Sequence, residues 1–588
     1  MDEKQSFDKK LWLIVSIAAC AIVIVCSAWP IFQNPQLEPD DYRYLEQVRH
    51  LKQDFWGNSS NVLVVENRWD QLWWINIHEK VRFFRPTVVL SYLLDDMVYG
   101  SNYPVGLLGT NILIYAACVI LVCLINYRWI GPGISFLASS VLFAAFFAHG
   151  EVMWYVAGRT DSIAGLFVFG GLTLHIYGKQ RPTLRWWAVP CFVLALLTKE
   201  LTAALPLVLF LSDWWIEERS ISFRTLLKRE WKIYAAYAVV VAGFFAIRVW
   251  IISGPDTGYP YPYFVTFGNP NFSSHLLGQL NSYWANLLFA VSTVPFTIVT
   301  DFKSSDALMG LLPGIGAFCL CSVFLYREKK YWILVLLGLA CWIPTIMLYQ
   351  SERYLFIPSF AVAGTAGLLL VRLEQSDRKV YYAALAICTL WIGHQAYSLH
   401  VKNQTLCVNP RLAEKIGDQL KLLKSSIPKG SKLLLLNLPG YILQYQFIED
   451  QLRAQLDDPD LEVVVLTPMP ELCNMGAKMT IKREGENTIA LGDTQTSPIM
   501  ARELDQFPWV TLNASSVYRA ESGMAIEILD GSEDVCYSLR VVLPHPLASY
   551  ILLKWDPAWE VVPISPTAAV QLTPYGRKLQ STVNILSP

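Results

Sequence analysis

Charge is scarce in this sequence. Only 16% of its 588 residues are Asp, Glu, Lys or Arg, where soluble globular domains carry roughly 25%, and that shortfall excludes an ordinary soluble fold. A basic excess is missing too: 47 Lys and Arg stand against 48 Asp and Glu, whereas a nucleic-acid binder would show one. The twelve cysteines form no framework. Nine precede residue 400, mostly inside apolar runs where they act as small hydrophobes, and Cys407, Cys473 and Cys536 follow at irregular spacing. That pattern fits neither a disulfide scaffold nor a zinc site. No internal repeat of solenoid length is visible.

Apolar and aromatic residues take up the difference. The chain is 54% hydrophobic, with 21 Trp, 28 Tyr and 28 Phe, as expected where aromatic belts mark membrane interfaces. Apolar stretches fall near 11–32, 106–127, 133–148, 162–177, 185–198, 201–216, 233–252, 308–325, 331–349, 354–371 and 379–398. The first follows Lys4, Lys9 and Lys10. It is long enough to span a ~30 Å bilayer core and lacks an Ala-x-Ala exit site. It is therefore expected to stay as the first helix, with its N-terminus in the cytoplasm. Two weaker stretches are ambiguous. Residues 84–99 carry Asp95 and Asp96 in their body, and 282–300 are diluted by Asn286, Ser292, Thr293 and Pro295.

Lys and Arg placement decides between topologies. Basic clusters occur at Tyr127–Arg128, 179–185, 224–232, 327–330 and 372–379. All five fall on the cytoplasmic side only if neither weak stretch crosses. The expectation is a polytopic α-helical membrane protein with about eleven transmembrane helices. The weak stretches would be amphipathic segments against the outer surface or dipping into it. Residues 1–398 would form the membrane domain and 399–588 a soluble extracytoplasmic domain. The first outer loop, 33–83, holds Trp56, Trp69, Trp73 and Trp74 and reads as a folded cap rather than a linker. Beyond 400, residues 409–426 and 441–456 have helical periodicity, while 432–437 and 462–466 read as buried strands. Residues 485–570 show short alternating runs between turns, so the outer domain is expected to be α/β or β-rich, in two parts.

The predicted topology gathers several ionisable groups on one face. They are Asp40–Asp41, Arg85, His149, Glu151, Arg159, Asp161, Lys199–Glu200 and Glu352–Arg353. Each has a structural reading: Asp40–Asp41 as the cap of a helix, Arg159 and Arg353 as snorkelling anchors, Lys199–Glu200 as an ion pair, His149 as an interfacial side chain. Their convergence is more informative, because ionisable groups at the edge of lipid mark functional sites. A carboxylate there can take a proton from an acceptor hydroxyl or amine. Arginines can bind a lipid phosphate bidentately, and a groove between helices can hold the lipid chain.

In order and spacing these pieces resemble the GT-C superfamily of polyprenyl-phosphate-sugar-dependent glycosyltransferases. The resemblance is nearest to the protein O-mannosyltransferase-like branch, which includes transmembrane and tetratricopeptide-repeat enzymes, their bacterial relatives and aminoarabinose-type transferases. The matching words are Asp40–Asp41 after the first helix; Arg85-Pro86-Thr87 with Leu90-Ser91-Tyr92, Gly100 and Asn111; His149-Gly150-Glu151 and Gly158-Arg159-Thr160-Asp161; Lys199-Glu200 with Pro206 and Asp213; and Ser351 through Ser359. They cover about residues 12–370. The resemblance implies that Asp40 or Asp41, with a slight preference for Asp40, is the catalytic base, with inversion at the anomeric carbon. It also implies Arg159 and Arg353 as phosphate contacts, Lys199 as a weaker one, and Glu151, Asp161 and Glu352 as groups orienting these cations or the sugar. Arg85, Glu200 and His149 complete the expected donor-binding set. Tetratricopeptide repeats are absent, and Gly150 stands where a Pro is familiar.

No metal or cofactor is expected. The expected partners are a polyprenyl-phosphate-linked sugar, a mannosyl lipid among the options; a protein or envelope-glycan acceptor; and the bilayer, either the bacterial inner membrane or the endoplasmic reticulum. Asn-x-Ser/Thr triplets at Asn58, Asn271, Asn403 and Asn513 do not decide the host. Two other readings are a flippase for lipid-linked sugars and an inactive scaffold. A transporter should show internal repeats and charges near the midplane, which this sequence lacks.

Overall fold

The structure, a computed structural model, describes residues 3–53, 64–66, 73–74, 82–100, 103–217, 222–252, 264–292, 299, 301–406, 417–436, 438–439, 448–469, 478–492, 499–501, 511–520, 523–533, 535–556, 558–561 and 569–571. Its first part is a bundle of apolar helices. They are α1 (Glu3–Gln33), α2 (Pro39–Gln53), α3 (Pro86–Tyr99), α4 (Pro104–Trp129), α5 (Ile134–Ala145), α6 (Gly150–Trp154), α7 (Arg159–Tyr177), α8 (Pro182–Trp186), α9 (Ala188–Leu196), α10 (Leu205–Ser212), α11 (Phe223–Ile252), α12 (Phe272–Phe289), α13 (Leu311–Leu325), α14 (Lys329–Trp342), α15 (Phe356–Ser376) and α16 (Arg378–Leu406).

Each of the eleven strong apolar stretches overlaps one or more of these helices. Among the described residues, five spans are long and apolar enough to cross a membrane by themselves: Lys10–Gln33, Pro104–Trp129, Phe223–Ile251, Asp306–Leu325 and Glu352–Ser376. A sixth is broken, Ile134–Ala145 and Phe147–Trp154 meeting at 44°. Other helices stop where the ionisable words occur. Short 3-10 turns at Phe147–His149, Val156–Gly158, Glu200–Ala204 and Glu352–Leu355 interrupt the bundle there. Gly158 shows why one break needs its residue: a Cβ would lie 2.3 Å from the Glu151 carbonyl oxygen. The chain is a polytopic α-helical membrane protein carrying a C-terminal strand-containing domain.

The first weak stretch is α3, whose 14 residues reach about 21 Å, short of the hydrocarbon thickness. Its carboxylates are paired. Asp95 meets Arg159 Nη1 at 2.6 Å and accepts from Thr110 at 2.8 Å, and Asp96 accepts from Lys52 at 2.6 Å. The second weak stretch overlaps α12, and residues 293–298 lie outside the described residues.

In the first loop, β1 (Val64–Glu66) and β2 (Arg82–Phe84) pair antiparallel. Trp73 and Trp74 are buried in the core of the C-terminal domain. Trp56 and Trp69 lie outside the described residues.

In the C-terminal domain, β3 (Lys432–Leu436) pairs parallel with β5 (Glu462–Val465) and, on its other side, with β13 (Tyr550–Asp556); β14 (Ala558–Val561) closes the edge antiparallel. Leu433, Leu434, Leu435 and Leu436 are all buried, which explains the unbroken apolar run: a parallel strand is covered on both faces. Helix α17 (Ile448–Leu456) lies between β3 and β5 in the chain. β4 (Leu438–Pro439) and β6 (Pro468–Met469) form a short parallel pair, and a second sheet has the order β10 (Val517–Arg519), β11 (Ala525–Ser532), β12 (Val535–Val542), β8 (Thr488–Gly492), β7 (Lys478–Arg483) and β15 (Ala569–Gln571), with β9 (Met500–Ala501) also paired to β12. The expected division into two parts needs correcting. β13 and β14 come from the β-rich stretch yet join the first sheet, and Ile481, Ile489 and Val541 share one core with Leu433 and Leu552.

Candidate active site

The acidic pair sits at the start of α2. Pro39 opens the helix, where a missing N–H costs nothing, and Asp41 follows two positions later. Its Oδ2 accepts from the Glu38 backbone N–H at 2.9 Å, the reach-back of a capping box. Its Oδ1 accepts from the Ala157 N–H at 2.7 Å, joining α2 to the turn before α7. Asp41 is thus buried and taken up by backbone donors. Asp40 is half-buried, and its Oδ2 accepts from the Tyr155 hydroxyl.

Burial separates the two carboxyls. It pushes Asp41 up to about 8, with Asp40 adding to the rise and the Glu38 and Ala157 amides and Arg159 opposing it. Glu38 is likewise pushed up to about 8 by burial and its two acidic neighbours. Burial also raises Asp40, but the Tyr155 hydroxyl and the guanidiniums of Arg353, Arg85 and Arg43 pull against it. Like charges this close are not all ionised together, and Asp40 is the member that faces cations.

Arg353 stands over the Tyr155 ring at 5.7 Å, donates to the Tyr349 hydroxyl at 2.8 Å, and lies 3.8 Å from Asp161. Its side chain retains 16% exposure, so a ligand can reach it. Asp161 also accepts from Lys199 Nζ, which sits 4.6 Å over the Tyr354 ring. Burial pushes Lys199 down to about 8, against the pull of Asp161. Glu151 holds the turn that presents Arg353, accepting from Ser351 Oγ at 2.9 Å and from the Arg353 N–H at 3.2 Å. Arg85 heads α3 with its guanidinium 4.3 Å over Phe83, and Glu200 accepts from Arg248 at 3.4 Å. Despite burial, Arg85 and Arg248 hold Glu200 below its ordinary value.

Three expected donor-binding residues lie beneath this surface. Arg159 has no exposed side-chain area. Its Nη1 meets Asp95, its Nε donates to Asn111 at 2.7 Å, its Nη2 donates to the Leu107 carbonyl at 2.8 Å, and its guanidinium lies 4.5 Å from the Tyr92 ring. Contrary to expectation, this geometry leaves no route to a phosphate: Arg159 ties α3, α4 and α7 together. His149 is also displaced from the site. It is buried among Phe143, Phe146 and Phe356, between the Tyr115 hydroxyl at 2.9 Å and Ser359 Oγ at 2.8 Å. Glu352 points away from Arg353, accepting from Ser292 at 2.9 Å and pairing with Lys402 on α16.

Sequence reasoning missed Tyr155, Tyr349, Asp95 as an ion partner, and Lys402. Lys402 was visible as a cation closing the last apolar run, and Tyr155 lies between two words already singled out. Nothing in the sequence marked Tyr349. Among the described residues, no group of three or more His, Cys, Asp or Glu is placed to hold a metal.

Beside the site, an apolar cavity of about 330 Å³ runs between α12, α13, α14, α15 and α16, lined among others by Tyr283, Trp284, Tyr331, Trp342, Leu355 and Trp391. Its rim adjoins the arginine turn, since the Tyr283 hydroxyl accepts from the Ser351 N–H at 3.2 Å and Leu355 follows Tyr354 in that turn.

No family model matches the chain, and no curated protein matches it in sequence. Solved structures do match along most of its length. ArnT from Cupriavidus metallidurans bound to undecaprenyl phosphate aligns at 14% identity, covering 77% of this chain and 85% of that one, with a TM-score of 0.47. The archaeal oligosaccharyltransferase AglB from Archaeoglobus fulgidus, in complex with an inhibitory peptide and a dolichol-phosphate, aligns at 11% identity over 80% of this chain and 66% of that one, with a TM-score of 0.47.

Proposed function

We propose that this chain is a membrane glycosyltransferase that moves a sugar from a polyprenyl-phosphate donor to a hydroxyl or amine of a protein or envelope-glycan acceptor. The observation that carries the reading is one aromatic ring: Tyr155 donates to Asp40 and lies under Arg353. A base and a phosphate-binding cation therefore face the same space, beside a cavity apolar enough for part of a lipid chain. The lipid donor itself follows from the sequence resemblance.

In this reading the acceptor oxygen or nitrogen attacks the anomeric carbon and its proton passes to Asp40. The bond from that carbon to the phosphate oxygen breaks, the sugar inverts, and the lipid phosphate leaves with its charge on Arg353 and Lys199. A fixed donor aimed at developing charge is worth about 3 kcal/mol. Tyr155 holds the Asp40 carboxylate in place, and Asp41 holds the start of α2. Asp161 spaces the two cations. The site would lie on the extracytoplasmic or lumenal face, opposite the basic clusters. Gathering of the ionisable groups at one end of the bundle argues against a transporter, whose site would sit near the midplane.

The test is mass spectrometry of envelope glycans and glycoproteins from cells lacking the gene, complemented with wild type or with Asp40→Asn. We expect a missing sugar that wild type restores and Asp40→Asn does not. Full restoration by Asp40→Asn rejects the general-base assignment.

A further inference from the structure

The C-terminal domain reaches the site's charged groups through single intervening side chains. Immediately after the acidic pair, Arg43 Nη1 meets Asp450 of α17 at 3.5 Å, and the Tyr42 hydroxyl accepts from Gln455 of the same helix at 3.2 Å. Tyr349, which accepts from Arg353, and Phe83, which lies under Arg85, both pack against the C-terminal core. Trp73 donates to the Leu466 carbonyl at 3.0 Å and anchors the first loop to the same domain.

Asp450 is the sharpest of these contacts. Its side chain is 1% exposed and Arg43 is 13% exposed, so the pair is largely withdrawn from water. Its Oδ1 has no hydrogen-bond partner among the described residues. A buried carboxylate needs a cation, and Arg43 is the one placed against it. Arg43 stands two residues beyond Asp41 on α2, three residues from Asp40 and so on the same side of the helix, and is among the guanidiniums whose charge acts on Asp40.

We propose that Asp450 is a positioning residue for the transfer site: by holding Arg43 it docks α17 on α2 and governs how much of that positive charge Asp40 sees. The C-terminal domain thus regulates the base, an inference that rests on Asp40 and Arg353 forming the site proposed above. The charged and titratable groups facing Asp40 are Glu38 and Asp41 on its own segment, Arg43 on α2, Arg85 at the head of α3, Tyr92 on α3, Tyr155 after α6 and Arg353 before α15. From α17 the group is Asp450, acting through Arg43.

The signs of the effects separate charge tuning from simple support. Asp450→Asn leaves the Arg43 charge uncompensated, favours ionised Asp40 and moves its titration to lower pH. Arg43→Gln removes the cation and moves it to higher pH. Arg43→Lys keeps the charge and leaves it near wild type. The measurement is binding of undecaprenyl phosphate to the full-length protein in nanodiscs, at pH values below the Lys199 titration. Ionised Asp40 repels the phosphate, so affinity falls as Asp40 titrates. The Asp40→Asn curve removes the phosphate's own ionisation, which every variant shares.

Opposite displacements in Asp450→Asn and Arg43→Gln are expected. Coincident curves in both, or displacements of the same sign, overturn the proposal, and Arg43→Lys decides the matter where either variant fails to fold, since displacement of its curve also overturns it. The underlying site fails separately: it falls if Arg353→Ala binds undecaprenyl phosphate as wild type does, or if Asp40→Asn keeps the full pH dependence.

Discussion

At the scale of single residues, the acidic pair divides its labour by hydrogen bonding. Asp41 spends both oxygens on backbone N–H groups, whereas Asp40 faces a phenol and three guanidiniums. Asp40→Asn should lower transfer at least about a hundredfold, the loss expected when a general base goes, with folding intact. Asp41→Asn should cost about 1 kcal/mol of stability, the worth of a cap, read by thermal unfolding in detergent, and should lower transfer much less. Lys199 supplies a pH limit. Its pKa is lowered to about 8 by burial, so it is charged below that value and neutral above it. Affinity for undecaprenyl phosphate should therefore fall as pH rises past about 8. Lys199→Arg, whose charge does not titrate there, should abolish the fall. An unchanged fall in that variant removes Lys199 from the phosphate site.

At the scale of elements, the functional residues sit where helices break, and the breaks are held by buried polar contacts. Arg159 is the clearest example. A fully buried guanidinium among Asp95, Asn111 and the Leu107 carbonyl joins three helices. Arg159→Met strands the Asp95 carboxylate and should destabilise the protein by about 3–5 kcal/mol. Adding Asp95→Leu should recover most of that loss. Arg353→Ala should do the opposite, lowering undecaprenyl phosphate affinity at least about tenfold with little change in thermal stability. If Arg159→Met weakens phosphate binding as strongly as Arg353→Ala in a protein that stays folded, the structural role assigned to Arg159 is wrong. From sequence the two arginines were indistinguishable, each beside an acid at a helix end. Burial separates them, and burial is a property of what packs around a residue.

At the scale of the whole molecule, the helical bundle and the C-terminal domain have separate apolar cores, joined at α2 and α17, at Trp73 and at Tyr349. With cysteine introduced at single positions, Lys303→Cys should be labelled by an impermeant reagent from the outside, and Glu328→Cys only after permeabilisation. The reverse pattern would overturn the orientation proposed for the site.

Several features of this protein could be read without coordinates. Apolar run length and sparse charge determine that the chain lives in a bilayer, because hydrocarbon penalises every unpaired polar group. Periodicity likewise located β3, β5 and the helical part of α17, since burial on both faces of a parallel strand leaves a continuous apolar run. The tertiary structure alone decided which of the clustered groups touch one another: Asp40 with Tyr155, Arg353 with Asp161, Arg159 with Asp95, Glu352 with Lys402. It also decided that β13 returns to β3 and that α17 rests on α2. These are long-range pairings, set by three-dimensional packing between segments tens to hundreds of residues apart, and no local pattern in the chain encodes them.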